Sequence, residues 1–107
     1  MLRSLGQRPL AGSGENPEVA DLRTAVSRLR RELAALPADF PDRGIAEEEL
    51  AALAAMTLAG TPEIPRLQRS LLLIAGAIGS VSALSRGLAE VRRAVETLRE
   101  RRRQGLS

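Results

Sequence analysis

The chain has 107 residues, 16 Arg, 13 acids, and no Lys, His, Cys, Trp or Tyr; Phe40 is its only aromatic residue. That length allows one domain, and an Ala- and Leu-rich composition favours helix. The missing residue types exclude disulfides, thiolate nucleophiles, zinc–thiolate sites, the usual histidine proton shuttle and lysine Schiff-base chemistry. The net charge of +3 is unevenly spread. Residues 9–98 hold 10 Arg and 12 acids, a net of −2. The positive excess belongs to Arg3, Arg8 and the run Arg99-Glu-Arg-Arg-Arg103.

Residues 1–15 lack helical periodicity and read as a flexible tail. They also lack the long apolar run of a signal peptide, so a cytoplasmic protein is expected. Helix 1 should start at Asn16, a good N-cap, with Pro17 at the first helical position and Glu18 and Asp21 near the positive end of the dipole. Val19, Leu22, Val26, Leu29, Leu33 and Leu36 recur at steps of three and four, giving one apolar seam. Pro37 ends it. A rigid turn over 37–42 follows, with Phe40 expected to plug the adjoining end of the core.

Helix 2 is expected from about Asp42–Ile45 to Ala59, with Glu47, Glu48 and Glu49 near its start. Leu50, Leu53 and Met56 or Thr57 should face inward, and Gly60 should stop the helix. After a turn at 61–65, helix 3 is expected over 65–84. It is apolar nearly all round from Leu71 to Leu84, which predicts a central buried helix. Ala75, Gly79 and Ala83, four apart, form a small-residue ridge on which another helix could come close. Helix 4 carries Leu88, Val91, Val95 and Leu98. Its seam is out of phase with that of helix 3, so a break is expected around Leu84 to Leu88; a single bent helix over 65–103 is the alternative. The segments 22–30 and 91–99 share five of nine residues, as two amphipathic helices of one composition would.

The fold expectation is an all-α, small antiparallel bundle of four helices over 16–103, with short tails at 1–15 and 104–107. No catalytic constellation is legible, and no metal, cofactor or catalytic residue is expected. The three consecutive glutamates splay around a helix turn instead of converging on one bond. Ser70, Ser80, Ser82 and Ser85 have no His or Lys to activate them.

The function expected is a non-enzymatic interaction module, a homo-oligomer or an adaptor for another helical protein. Its helix-packing residues would be Val19, Leu22, Val26, Leu29, Leu33, Ala75, Gly79, Ala83, Leu88, Val91, Val95 and Leu98. The charges flanking the seams do not specify a zipper, so the seams of helices 1 and 4 are expected to pack against helices 2 and 3. A core this modest favours self-association through a leftover apolar face. Arg99, Arg101, Arg102 and Arg103 form a candidate anion-binding cluster. Two alternative functions have some support in the sequence. Arg66, Gln68 and Arg69 suit base edges in a helix–turn–helix reading, but Pro65 at the helix start and the net negative body argue against nucleic acid. The 14 apolar residues from Leu71 to Leu84 fall short of the roughly 20 needed to span a bilayer, which argues against a membrane role.

At Arg69-Ser-Leu-Leu-Leu-Ile-Ala-Gly-Ala-Ile-Gly-Ser-Val-Ser-Ala-Leu84 the chain resembles a small actinobacterial family known only as a domain of unknown function. Arg28-Leu-Arg-Arg-Glu-Leu-Ala-Ala-Leu-Pro-Ala-Asp-Phe-Pro-Asp-Arg43 fits the same resemblance, which spans about residues 17–98. It implies a bacterial cytoplasmic helical protein and carries over no active site.

Overall fold

A computed structural model describes residues 16–37, 39–60 and 62–106. The expected flexible tail at 1–15 lies outside the described residues. Four helices follow in chain order: α1 (Pro17–Ala35), α2 (Arg43–Leu58), α3 (Ile64–Ile78) and α4 (Ser85–Leu106), with a one-turn 3-10 helix, Ser82–Leu84, ahead of α4. There is no strand among the described residues.

The start of α1 forms as its sequence dictates. Asn16 is extended, its Oδ1 accepts the Glu18 N–H at 2.8 Å, and Pro17 opens the helix. That bond satisfies one of the four donors a helix start leaves free. Val19, Leu22, Val26, Leu29 and Leu33 are buried, joined by Ala25. Phe40 is half-buried against the core, as expected of a plug in the 36–42 connection.

In α2, Ala46, Leu50, Leu53 and Thr57 point inward. Thr57 is a polar residue in the core, and its hydroxyl donates to the Ala54 carbonyl at 2.7 Å. Burying that hydroxyl therefore leaves no unmade bond. Gly60 follows the helix with φ +122°, a conformation that side chains with a Cβ rarely adopt. Replacing Gly60 with Ala is expected to cost about 1 kcal/mol through backbone strain alone. No heavy atom lies within 4 Å of an added Cβ. Equilibrium urea unfolding should therefore show a lower midpoint with an unchanged slope.

Residues bonded across the bundle fix the helix directions. Arg43, opening α2, donates to the Leu33 and Leu36 carbonyls at the end of α1, while Arg23 near the start of α1 reaches the Thr57 carbonyl near the end of α2. So α1 and α2 are antiparallel. Between α1 and α4, Arg28 pairs with Glu90 at 3.1 Å and Glu18 with Arg101 at 3.4 Å, again antiparallel. The five-residue connection 59–63 turns α3 back along α2. Each helix packs on two neighbours in a ring, α1 on α2, α2 on α3, α3 on α4 and α4 on α1.

Two expectations are corrected by this ring. First, α3 is not a central buried helix. It ends at Ile78, and only Leu67, Ser70, Ile74 and Ile78 are buried on it. A helix with two neighbours shows the rest of its circumference to solvent, so an all-round apolar sequence must expose apolar side chains. Second, the seams of α1 and α4 do meet helices 2 and 3, α1 packing on α2 and α4 on α3, but α1 and α4 also pack extensively on each other, which the expectation left out.

The predicted break between the third and fourth helices is real, and it falls earlier than the seam phase suggests. Gly79 and Ser80 form a turn, Val81 is extended, and Ser85 Oγ donates to the Ser82 carbonyl at 2.9 Å. Gly79 carries the full backbone entropy of glycine, and Ser80 follows it with weak helix propensity, so the helix yields there. At the other end, α4 runs to Leu106, past the expected limit at Arg103 and into the expected tail.

Candidate functional site

The sequence offers apolar seams, a small-residue ridge and a terminal arginine cluster as candidate sites. The structure treats them differently. Val19, Leu22, Val26, Leu29, Leu33, Leu88, Val91, Val95 and Leu98 are all buried. They hold helix against helix within one chain and present nothing to a partner. Ala75 is half-buried on α3, whereas Gly79 and Ala83 are exposed in the connection after it. The ridge is broken because α3 has ended before Gly79.

Arg99, Arg101 and Arg103 are paired with acids: Arg99 with Glu96 at 3.0 Å, Arg101 with Glu18 at 3.4 Å and Arg103 with Glu100 at 3.9 Å. Arg102 is half-buried. Each exposed pair is worth at most about 1 kcal/mol. They nonetheless cancel much of the positive field that an anion would need.

What the sequence did not single out is the outward side of α3. Leu72 is 75% exposed and Leu73 is 45% exposed. On the neighbouring α2, Leu58 is 73% exposed and Ile45 is 45% exposed. Arg66, Gln68, Arg69 and Gly76 share the solvent side of α3, and Glu48, Ala51 and Ala55 that of α2. A lone surface leucine is ordinary, but adjacent exposed leucines on one helix form the kind of patch that marks association. The run Leu71–Leu84 points to core because it is uninterrupted by charge. Its length was the missed signal, since a turn at Gly79-Ser80 leaves too short a helix to be surrounded.

Several clefts open on the described residues. Between α1 and α4 is a groove of about 300 Å³ with Ala25 and Ala94 among its lining residues, and with Glu18, Asp21, Glu90, Arg28 and Arg93 also around it. Two alanines facing each other leave this space, and the Arg28–Glu90 ion pair belongs to its lining. Beside the 36–42 connection a shallower cleft is lined by Asp39, Phe40, Pro41, Arg43, Gly44 and Glu47. Among the described residues no group of three His, Cys, Asp or Glu could hold a metal ion. No helix among them is long and apolar enough to cross a membrane.

Arg43 has a structural role that sequence reasoning missed. Helix α1 ends without glycine and without a basic residue in its last turn. Its Leu33 carbonyl accepts the Leu36 N–H at 3.2 Å, and α2 adds to this: Arg43 Nη2 donates to the same carbonyl at 2.6 Å and Nη1 to the Leu36 carbonyl at 3.0 Å, while Nε reaches Glu47 at 3.2 Å. A guanidinium fork can do this and an ammonium cannot. Replacing Arg43 with Ala is expected to cost about 1–3 kcal/mol by stranding part-buried carbonyls. Replacing it with Lys should recover less than half of that, measured by chemical denaturation of the three proteins.

No curated protein and no solved structure matches the chain significantly. A family model, described as a Family of unknown function (DUF5955), does match, over residues 11–99. Most of the chain lies within that match, and the protein belongs to this family.

Proposed function

We propose that the protein is a non-enzymatic helical interaction module whose docking surface is the outer side of α2 and α3. The observation that carries this reading is the pair Leu72 and Leu73, exposed next to each other on α3 while the seams of α1 and α4 are spent inside the bundle. Full burial of a leucine is worth about 1.5–3 kcal/mol, and leaving Leu72 mostly and Leu73 about half in water forfeits a share of that at each site. A partner that covers them gains that energy, and their removal does not weaken the core.

The test is cross-linking in the native cell followed by recovery of the tagged chain, with a Leu72→Glu, Leu73→Glu double variant beside it. The reading expects a defined set of cross-linked products that the double variant loses while keeping its helical circular dichroism. An identical set of products from both proteins would sink it. Salt-sensitive binding of duplex DNA, lost on replacing Arg66 and Arg69 with Ala, would replace it by the nucleic-acid alternative.

A further inference from the structure

We propose that the groove between α1 and α4 binds a small zwitterion, an ω-amino acid whose ammonium sits on Asp21 and whose carboxylate sits on Arg93. This site shares no residue with the outer side of α2 and α3, and it goes beyond the interaction reading without depending on it.

Two ion pairs tie the walls of the groove together, Arg28 with Glu90 at 3.1 Å and Glu18 with Arg101 at 3.4 Å. They fix the register of the antiparallel helices, which sets Thr97 level with Asp21 and Arg93 level with Ala25. Glu18, Arg28 and Glu90 are thereby neutralised within the chain. Asp21 and Arg93 are not. Both line the groove and both are exposed. Neither side chain has a hydrogen bond or an ion pair among the described residues. Helix ends do not account for them either. Asp21 lies past the first turn of α1 and Arg93 is near the middle of α4, where the dipole contributes little.

The register also holds these two charges apart. Four residues separate their levels along the groove, about 6 Å of helix. Between them lie the buried Ala25 and the half-buried Ala94, with Thr24 on one helix and Thr97 on the other. A carboxylate, two methyl groups and a guanidinium in that order complement an ammonium, a short methylene chain and a carboxylate. The guanidinium takes a carboxylate in a two-bonded fork, and methylene groups gain by covering the alanine methyls. The volume of about 300 Å³ is at the small end of ligand sites, which suits a molecule of amino-acid size. A simple anion or cation would meet one free charge and leave the other. An amino acid with both charges on one carbon is too short to span a helical turn.

γ-Aminobutyrate and α-aminobutyrate test this directly, because the isomers differ only in how far apart their charges lie. Amide-resolved NMR titration of the full chain measures both affinity and place. The γ isomer is expected to bind with a dissociation constant of about 1 mM, with shifts in segments 18–28 and 90–97. The α isomer, and butylamine and butyrate with one charge each, should bind at least about tenfold more weakly. Asp21→Asn and Arg93→Gln should each weaken the γ isomer about tenfold or more, while Arg92→Gln, which removes an exposed charge outside the groove, should leave it unchanged. All three positions are exposed, and circular dichroism checks that each variant folds. No shift up to about 20 mM overturns the site. So do shifts confined to other segments, equal affinity for the two isomers, or equal losses from Arg92→Gln and Arg93→Gln. Such a failure leaves the interaction module standing, since Leu72 and Leu73 take no part in this site.

Discussion

Replacing Leu29 with Ala is expected to destabilise the bundle by about 2–5 kcal/mol, against less than about 0.5 kcal/mol for the same change at Leu72. Both are helical leucines in the Ala- and Leu-rich chain, and only their positions differ. Leu29 is fully buried at the middle of α1, on the helix that packs against both α2 and α4. Truncating it removes several methyl and methylene groups from the core and leaves a cavity that rigid neighbours fill only in part. Leu72 is 75% exposed, so its truncation removes almost nothing that folding buried. A domain of this size has a total stability of roughly 5–15 kcal/mol, so the Leu29 change consumes a large share of it. Each kcal/mol lowers the melting temperature of a domain of 60–100 residues by about 4–8 °C. Thermal unfolding followed by circular dichroism should separate the two variants widely. Equal losses at the two sites would mean that α3 is enclosed after all and that its outward face has been placed wrongly.

That contrast also shows where the sequence speaks and where it does not. The seams of α1 and α4 are legible because apolar residues fall at steps of three and four with charge between them, and that pattern names a buried side without any knowledge of neighbours. Asn16 and Gly60 are legible for a similar reason, since capping and positive φ are properties of a few adjacent residues. Helix α3 is different. Its seam is present, and Leu67, Ile74 and Ile78 on it are buried, but from Leu71 to Ile78 nearly every position is apolar, so the sequence does not say that the opposite side, with Leu72 and Leu73, stays in water; that follows from where α2 and α4 lie. The candidate site sits on that helix, so it was the part least open to sequence reasoning. Arg43 was hidden for another reason. Its partners are ten and seven residues away at the end of α1, and the need it meets, a Leu36 carbonyl just past that helix, becomes visible only once α2 lies back along α1.

Gly87 gives the second large effect, and its magnitude depends on the size of the replacement. The residue is buried within α4, where the helix passes close to α1. A Cβ added there would lie 2.9 Å from Leu29 Cδ1 and would press on the Glu32 carboxylate. Leu29 is fully buried and cannot swing away, whereas Glu32 is half-buried and can. Alanine recovers at most about 1 kcal/mol of helix propensity relative to glycine, and its methyl group already presses on Leu29, so Gly87→Ala is expected to be mildly destabilising, by about 1 kcal/mol. Leucine recovers a similar propensity, but it drives three more carbons into the contact between α1 and α4. Overpacking of this kind costs about 1–3 kcal/mol and occasionally more. Forcing α1 and α4 apart also threatens the Arg28–Glu90 pair. Gly87→Leu should therefore be strongly destabilising in urea unfolding. Glu32 provides the check on mechanism. Its Oε1 is buried without a hydrogen-bond partner, so replacing Glu32 with Ala removes the atom that blocks a side chain at position 87. The double variant should recover part of the loss, a coupling that a thermodynamic cycle measures directly. Strict additivity of the two changes would show that Leu29, and not the carboxylate, sets the limit on what α4 can carry at that position.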